Sequence, residues 1–408
     1  HIGNGFVVGG ASDGAAIGLA GGVYGIACAV SCLMVAFCLN DFIYKHDYLT
    51  LSDFYRERYN SQIPGVIFDL SQSLSVIGVF GGQIMAGKAL FEALGFSGTL
   101  GAVTIVVVVL LYSQMSGLWG AYATSVVQTI IITVGLVLTT FVLFRNGAYG
   151  FLKDAVANGT ASPTSLNFKG MDFEALVFMT VPLMLGQVTN QNNFLRITSA
   201  KSARVSKMAC IVAFVVMAPL ALMPAFIGSY GAAAYGASGS SAFFTVILNE
   251  LSPVVAALII AAALAAVMST IDGGLIMLSA ILVRDIWTIV LNKKASEKQL
   301  KTFSNVVNVV ASGIALVLAL TFNSMLNLFS NCYAFLAAAC FVPFVGGALW
   351  KRGTTKGAVA SSLVGMVIVV AIWFGLKVPM AGVFPIIPAA ITYVVVSLMT
   401  SDKPAVKE

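Results

Sequence analysis

The chain is short of the residues that catalytic and metal chemistry draws on. Its 408 residues include only two histidines, His1 and His46, so a zinc or haem centre would lack its usual imidazoles. The six cysteines, Cys28, Cys32, Cys38, Cys210, Cys332 and Cys340, form no CxxC pair and lie in apolar stretches, where thiols serve mainly as packing groups. No Walker sequence, nucleophile elbow or GxGxxG after a strand is present. ATP hydrolysis and acyl transfer therefore have no residues to carry them, and an enzyme is not expected. Charge is equally scarce. Only 9% of residues are charged, against roughly 25% in soluble domains, while 59% are hydrophobic and the mean hydropathy is +0.96.

What is present is apolar sequence in long runs. Stretches 14–40, 93–144, 175–195, 208–249, 251–271, 302–350, 357–376 and 378–401 contain no Asp, Glu, Lys or Arg. A membrane span needs about 20 apolar residues, so the longest runs hold two each. Divided at glycines and polar clusters they give about eleven spans, preceded by a fragment at 2–10. This is an all-α polytopic membrane protein in which residues 1–408 form one helical domain. The chain opens at His1 in the middle of an apolar segment, which reads as the loss of one or more amino-terminal helices. No secretory signal peptide is visible.

Positive charge alternates between loops. Three Lys or Arg fall between Lys45 and Arg58, four from Arg196 to Lys207, five from Arg284 to Lys301, three from Lys351 to Lys356 and two in the tail. The intervening loops hold only Lys88, Arg145, Lys153, Lys169 and Lys377. The first set, with the carboxyl terminus, is expected on the cytoplasmic face of the cell membrane. This asymmetry accounts for the net charge of +6, and nucleic acid is not an expected partner.

One apolar stretch, AAALAAVMSTIDGGLIMLSAILVRDIW at 261–287, buries Ser269, Thr270 and Asp272. An ionisable group at membrane depth is costly and marks a functional site by default. On a helix Ala266, Ser269 and Thr270 stand at i, i+3 and i+4, so a carbonyl and two hydroxyls share a face. These hard oxygens suit a small, unpolarisable cation. In the simpler reading the hydroxyls bond back to the preceding turn and Asp272 lines a wet crevice.

Two polar interruptions stand five spans apart. The first is Ile2-Gly3-Asn4-Gly5 with Gly9 and Gly10, and the second is Gly186-Gln187-Val188-Thr189-Asn190-Gln191-Asn192-Asn193. Discontinuous helices at matching positions of two halves point to an inverted-repeat transporter, in which free backbone groups at midplane coordinate ion and substrate. The glycines read equally well as close helix packing. Amides at 189–193 are harder to place in hydrocarbon without partners.

These residues resemble the sodium:solute symporter family. AAVMST at 265–270 is similar to the ion-binding helix of the family's proline symporters, and SGLWGAYATSVVQ at 116–128 is similar to its GGLxAVxxTDxxQ signature. NQNNFLRITSAKS at 190–202 aligns with NQxxxQRxLAAKS, while AGKALFEALGF at 86–96 and GGALWKRGTTKGA at 346–358 match helix ends. The matches run from residue 2 to about residue 360 in the family's order.

The resemblance implies a LeuT-like five-plus-five inverted-repeat bundle: a first repeat, incomplete, at 1–145, a second at 173–350, and additional carboxyl-terminal helices at 357–400. It also implies sodium-driven alternating access with Na+ as coupling ion. The sodium ligands carry over to the Ile2 carbonyl, the Ala266 carbonyl and the hydroxyls of Ser269 and Thr270; the other first-helix ligand would precede His1. The signature's TD is Thr124-Ser125 in this chain, so a carboxylate that some members use for a second sodium is gone. Asp272 stands where those members have a hydroxyl. Either the carboxylate has crossed the helix pair, leaving Asp272 and Ser125 at a second cation or proton site, or Asp272 bonds helix backbone and one sodium suffices. The family's substrate positions fall on Asn4, Gln83, Asn190, Gln191, Ser330 and Asn331, neutral groups suited to a small polar solute: an amino acid, sugar, vitamin or carboxylate. Lys88, with Glu92 one turn on, reads as an interfacial ion pair rather than an anion site. A membrane sensor or a channel is the alternative function. The lipid bilayer is the expected surrounding, and a monomer is expected to suffice.

Overall fold

The computed structural model describes residues 2–46, 48, 50–113, 118–290, 294–378 and 380–400, with side chains placed for all of these except 112, 113, 118–125, 269, 280, 284 and 288–290. A backbone in hydrocarbon satisfies its polar groups only as helix or closed barrel. Among the described residues every regular element is helical.

Ile2 and Gly3 are unwound; a π-helical turn, Gly5–Gly9, then leads into α1 (Gly10–Ile17). Gly18, at φ 72°, begins a turn that separates α1 from α2 (Val23–Met34), which continues through a π stretch into α3 (Asn40–Lys45). The short α4 (Leu51–Tyr59) precedes three long helices, α5 (Gln62–Ala93), α6 (Gly98–Ser113) and α7 (Leu118–Arg145). After α8 (Ala148–Ala157) comes an interrupted helix, α9 (Phe173–Val188) and α10 (Gln191–Thr198). Then follow α11 (Ala203–Leu220), α12 (Leu222–Tyr235) and α13 (Ser241–Glu250). The long α14 (Pro253–Ala280) runs on as π-helical Ile281–Val290. Next are α15 (Glu297–Thr321), α16 (Met325–Leu336) joined by a π turn, Ala337–Phe341, to α17 (Val342–Leu349), α18 (Thr355–Trp373) and α19 (Ile386–Met399).

Among the described residues, eight helical stretches are long and apolar enough to cross a membrane, and three apolar helices are shorter: Gly98–Leu111, Phe173–Val188 and Ile386–Met399. The fragment expected at 2–10 and the span after it belong to one helical stretch, Gly5–Lys45. Large apolar side chains such as Leu111, Val126, Phe141, Val254 and Val317 face outward, as lipid-facing positions do. Polar caps start the helices: Asp172 Oδ1 accepts from Ala175 N at 2.7 Å, and Ser202, Ser324 and Thr354 act alike.

The centre of the bundle is built on α5. Small residues let helices approach closely where lipid gives no hydrophobic drive for them to associate. A Cβ on Gly78 would overlap Cys332, one on Gly82 the Phe329 ring, and one on Gly87 the Ile105 side chain. α5 is thereby locked to α16 and α6. Gly9 and Gly10 do the same for the first helix, against Leu326 and Pro224.

Candidate ion and solute site

The unwound start of the first helix and the break between α9 and α10 meet at one cavity of about 420 Å³. At the start of the first helix Ile2 and Gly3 are unwound. Gly3 O accepts from Val7 N at 3.0 Å, and the Ile2 carbonyl precedes the first helical turn. Thr270, on α14, stands opposite: a Cβ on Gly3 would lie 3.9 Å from Thr270 Oγ1. Ile2, Gly3, Ala266 and Thr270 all line the cavity. Thr270 Oγ1 also donates to Ala266 O at 2.8 Å, the back-bond that such a residue makes in a helix. Its lone pairs stay available to a cation. The side chains of Ser269 and Ser125 lie outside the described residues. Asp272 is wholly buried one half-turn beyond Thr270 and is not among the cavity-lining residues.

The second interruption is the Thr189-Asn190 junction. Thr189 caps α9, Asn190 is extended (φ −83°, ψ 118°), and its side-chain oxygen accepts from Asn192 N at 2.8 Å, starting α10. Asn193 Nδ2 donates to both the backbone and side-chain oxygens of Gln187, at 2.9 and 2.8 Å. The break is therefore stitched by its own amides, which satisfies groups that lipid would leave bare.

Of the residues assigned to solute from the sequence, the structure brings Asn4 and Gln83 together, with Asn4 Nδ2 donating to Gln83 Oε1 at 3.2 Å. Gln83 and Asn190 line the cavity. Gln191 turns the other way: its Oε1 accepts from Leu51 N at 2.8 Å and its backbone N donates to Gln72 Oε1 at 3.4 Å. Ser330 is buried without a hydrogen-bond partner and does not line the cavity. Asn331 accepts from Trp373 Nε1 at 2.9 Å, on the face toward α18. Lys88 and Glu92 both border Gly98 but form no ion pair.

The solute assignment made from the sequence left out Gln72, Gln128 and Gln187, which line the same cavity from α5, α7 and α9. Gln72 Nε2 and Gln128 Oε1 are buried with no protein partner, so one donor and one acceptor stand ready there. Tyr24, Phe329 and Tyr333 supply aromatic wall, the first two with ring centroids 6.3 Å apart. At its other end the cavity reaches Arg196 and Ser199, near the end of α10. An apolar cavity of about 450 Å³ shares Ile2, Asn193 and Arg196 with it and extends between α2 and α11.

Residues 1–365 match the model of the sodium:solute symporter family. The chain belongs to that family. It is thus a multi-pass membrane transporter with Na+ as its coupling ion. The sodium/proline symporter of Staphylococcus aureus (strain USA300 / TCH1516) is 26% identical over 386 residues, covering 87% of this chain and 72% of the relative. The fold is shared with a substrate-bound, outward-open Na+-coupled sialic acid symporter, at a TM-score of 0.75 and 19% identity over 99% of this chain and 91% of the other. It is also shared with MHP1, a nucleobase-cation-symport-1 family transporter in a closed conformation with bromovinylhydantoin bound, at 0.66 and 15% over 98% and 90%. These are LeuT-fold transporters, and so is this chain.

Proposed function

We propose that the protein imports a small polar solute with sodium by alternating access. The observation that carries the reading is the convergence of the unwound start of the first helix, the break at 189–190 and Thr270 on one cavity. Free backbone groups at paired helix breaks are the means by which inverted-repeat transporters hold ion and substrate at midplane. On this reading 1–145 and 173–350 are the two repeats and 357–400 the added helices. Sodium takes the carbonyls of Ile2 and Ala266 and the hydroxyls of Ser269 and Thr270. A second cation or a proton is held near Asp272 and Ser125.

The solute contacts Gln83 and Asn190, with Asn4 orienting Gln83, and Gln72, Gln128 and Gln187 complete a wall of neutral donors and acceptors. Ser330 and Asn331 belong behind that wall. The relatives' solutes are proline and sialic acid, and an amide-lined site suits compounds of either size class. Arg58, Arg196, Lys207 and Lys351 stand on loops or helix ends of the positively charged set, which supports our assignment of them and the carboxyl terminus to the cytoplasmic side. The cavity then opens inward at Arg196.

The test is sodium-dependent uptake in proteoliposomes. Replacing Ser269 and Thr270 together by Ala should abolish the sodium dependence of uptake while the bundle stays folded, since both hydroxyls are small and the one described, on Thr270, bonds only within its own helix. Unchanged sodium affinity in the double variant sinks the assignment.

A further inference from the structure

Helix α4 does not span the membrane, yet its nine residues touch both interrupted and continuous parts of the bundle. At its first residue, Leu51 N donates to Gln191 Oε1 of α10, at 2.8 Å. In its middle Arg56 reaches the continuous helices: Nη2 lies 3.0 Å from Asp69 Oδ2 on α5 and Nη1 lies 3.3 Å from Asp285 Oδ1 on the π stretch after α14. The Arg56 side chain is 10% exposed and both carboxylates are fully buried. Ser52 Oγ donates to Asp69 Oδ2 at 3.0 Å, and Asp53 lies 3.4 Å from Arg56. On its third side α4 grips the segment from Ala337 to Gly353. Tyr55 Oη donates to Cys340 O at 2.8 Å and Tyr59 Oη to Pro343 O at 2.6 Å. Arg58 donates to Gly347 O at 2.7 Å and Trp350 O at 2.9 Å.

We propose that α4 is a clasp that gears the interrupted helix α9–α10 to the end of α16–α17, and that Arg56 is the positioning residue that fixes the clasp to α5 and the π stretch after α14. The inference rests on the alternating-access reading above. If one group of helices rocks against the other, a rigid piece bonded to both transmits the motion or resists it. A buried guanidinium shared among carboxylates on separate elements is costly to break, because each loss strands a charge away from water. It therefore favours one arrangement over intermediates. Gln191 is the clasp's other end: its side-chain oxygen is taken by Leu51 N of α4, one residue from the cavity-lining Asn190 and Asn192.

The experiment uses the whole chain in proteoliposomes, with native cysteines replaced and a reporter thiol introduced by Asn192→Cys in the cavity. Hydrophilic thiol labelling is followed with sodium, with potassium, and with sodium plus proline, in the Arg56→Gln, Arg56→Lys and Gln191→Leu backgrounds. For the unaltered clasp, sodium should change the labelling rate. Arg56→Gln should shift the sodium-free rate by about fivefold or more, the low end of ordinary conformational coupling, and abolish the sodium response. Arg56→Lys should recover part of it. Sodium should still raise the thermal midpoint of Arg56→Gln. Maximal transport rate should fall with half-saturation little changed, as for a step that is not binding. Gln191→Leu leaves the charge cluster intact and should act in the same direction, so it carries the test if Arg56→Gln does not fold. If both variants that fold label and transport like the parent, the clasp is wrong. If sodium changes neither labelling nor thermal midpoint in the parent, the alternating-access reading itself has failed.

Discussion

Phe329 lies between Gly5 of the first interrupted helix and Gly82 of α5, and a Cβ on either would overlap its ring. The ring also packs against Tyr24 and lines the cavity. Two glycines are thus needed to admit one aromatic residue. Gly82→Ala should destabilise the protein by about 1–3 kcal/mol, the usual cost of overpacking a fitted core, and adding Phe329→Leu should return most of it, read as the thermal midpoint in detergent. Equal losses in Gly82→Ala and the double variant would show that the ring is not the obstacle. Asp272 gives a second prediction at this scale. A carboxylate in low dielectric needs a cation, donors or a proton to persist. Asp272→Asn should lower the sodium Hill coefficient of uptake toward one or remove its pH dependence, and Ser125→Asp should partly restore the loss. Unaltered stoichiometry and pH profile would leave Asp272 a structural residue.

At the scale of elements, α7, α12 and α13 are tied by Glu250. Tyr230 and Tyr235 each donate to its Oε1 at 2.6 Å, and Asn146 Nδ2 donates to Oε2 at 3.3 Å. Burial works to raise the pKa of this carboxyl, but the three donors prevail and hold it below the ordinary 4.5. A lowered native pKa contributes stability above the unfolded value and loses it as pH falls through the native one. The gap in thermal midpoint between the parent and Glu250→Gln should therefore be full at neutral pH and narrow below about pH 4.5. A gap that does not change with pH would mean that the charged form is not favoured. The elements themselves were legible to different degrees. The break at 189–190 stood out because a run of amides in apolar sequence must bond to itself, as Asn193 and Gln187 do. The glycines at 3–10 carried two meanings: the packing one is seen in Gly9 and Gly10, which admit Leu326 and Pro224, while Gly3 lies in the unwound start of the first helix. Gln72 was illegible as a cavity residue because Asp69, Ser71, Gln72, Ser73 and Ser75 are all buried polar residues of one helix, and only packing decides which of them meets the cavity. Gln191 looked like its neighbours in sequence and was turned away by α4.

At the scale of the whole molecule, coupling requires that ion and solute stabilise the same arrangement of helices. Thr270 and Ala266 line the same cavity as Gln83, Asn190 and Tyr333, so on the proposed assignment occupancy by either partner braces residues that the other uses. Linkage then makes the effect reciprocal: sodium must raise the affinity for solute by the factor by which solute raises the affinity for sodium. Anything that binds only the folded chain also raises its stability, by about 2.7 kcal/mol at a hundredfold excess over Kd. In detergent the thermal midpoint should rise with sodium and not with an equal concentration of potassium, since a small nearly dehydrated oxygen site favours the smaller ion. A screen of neutral and zwitterionic solutes should yield one whose further shift appears only when sodium is present. In the variant lacking the Ser269 and Thr270 hydroxyls, both shifts should vanish together. A solute that stabilises the parent equally in sodium and in potassium would show that the two sites are not coupled, and the protein would then bind its solute without the sodium linkage that symport requires.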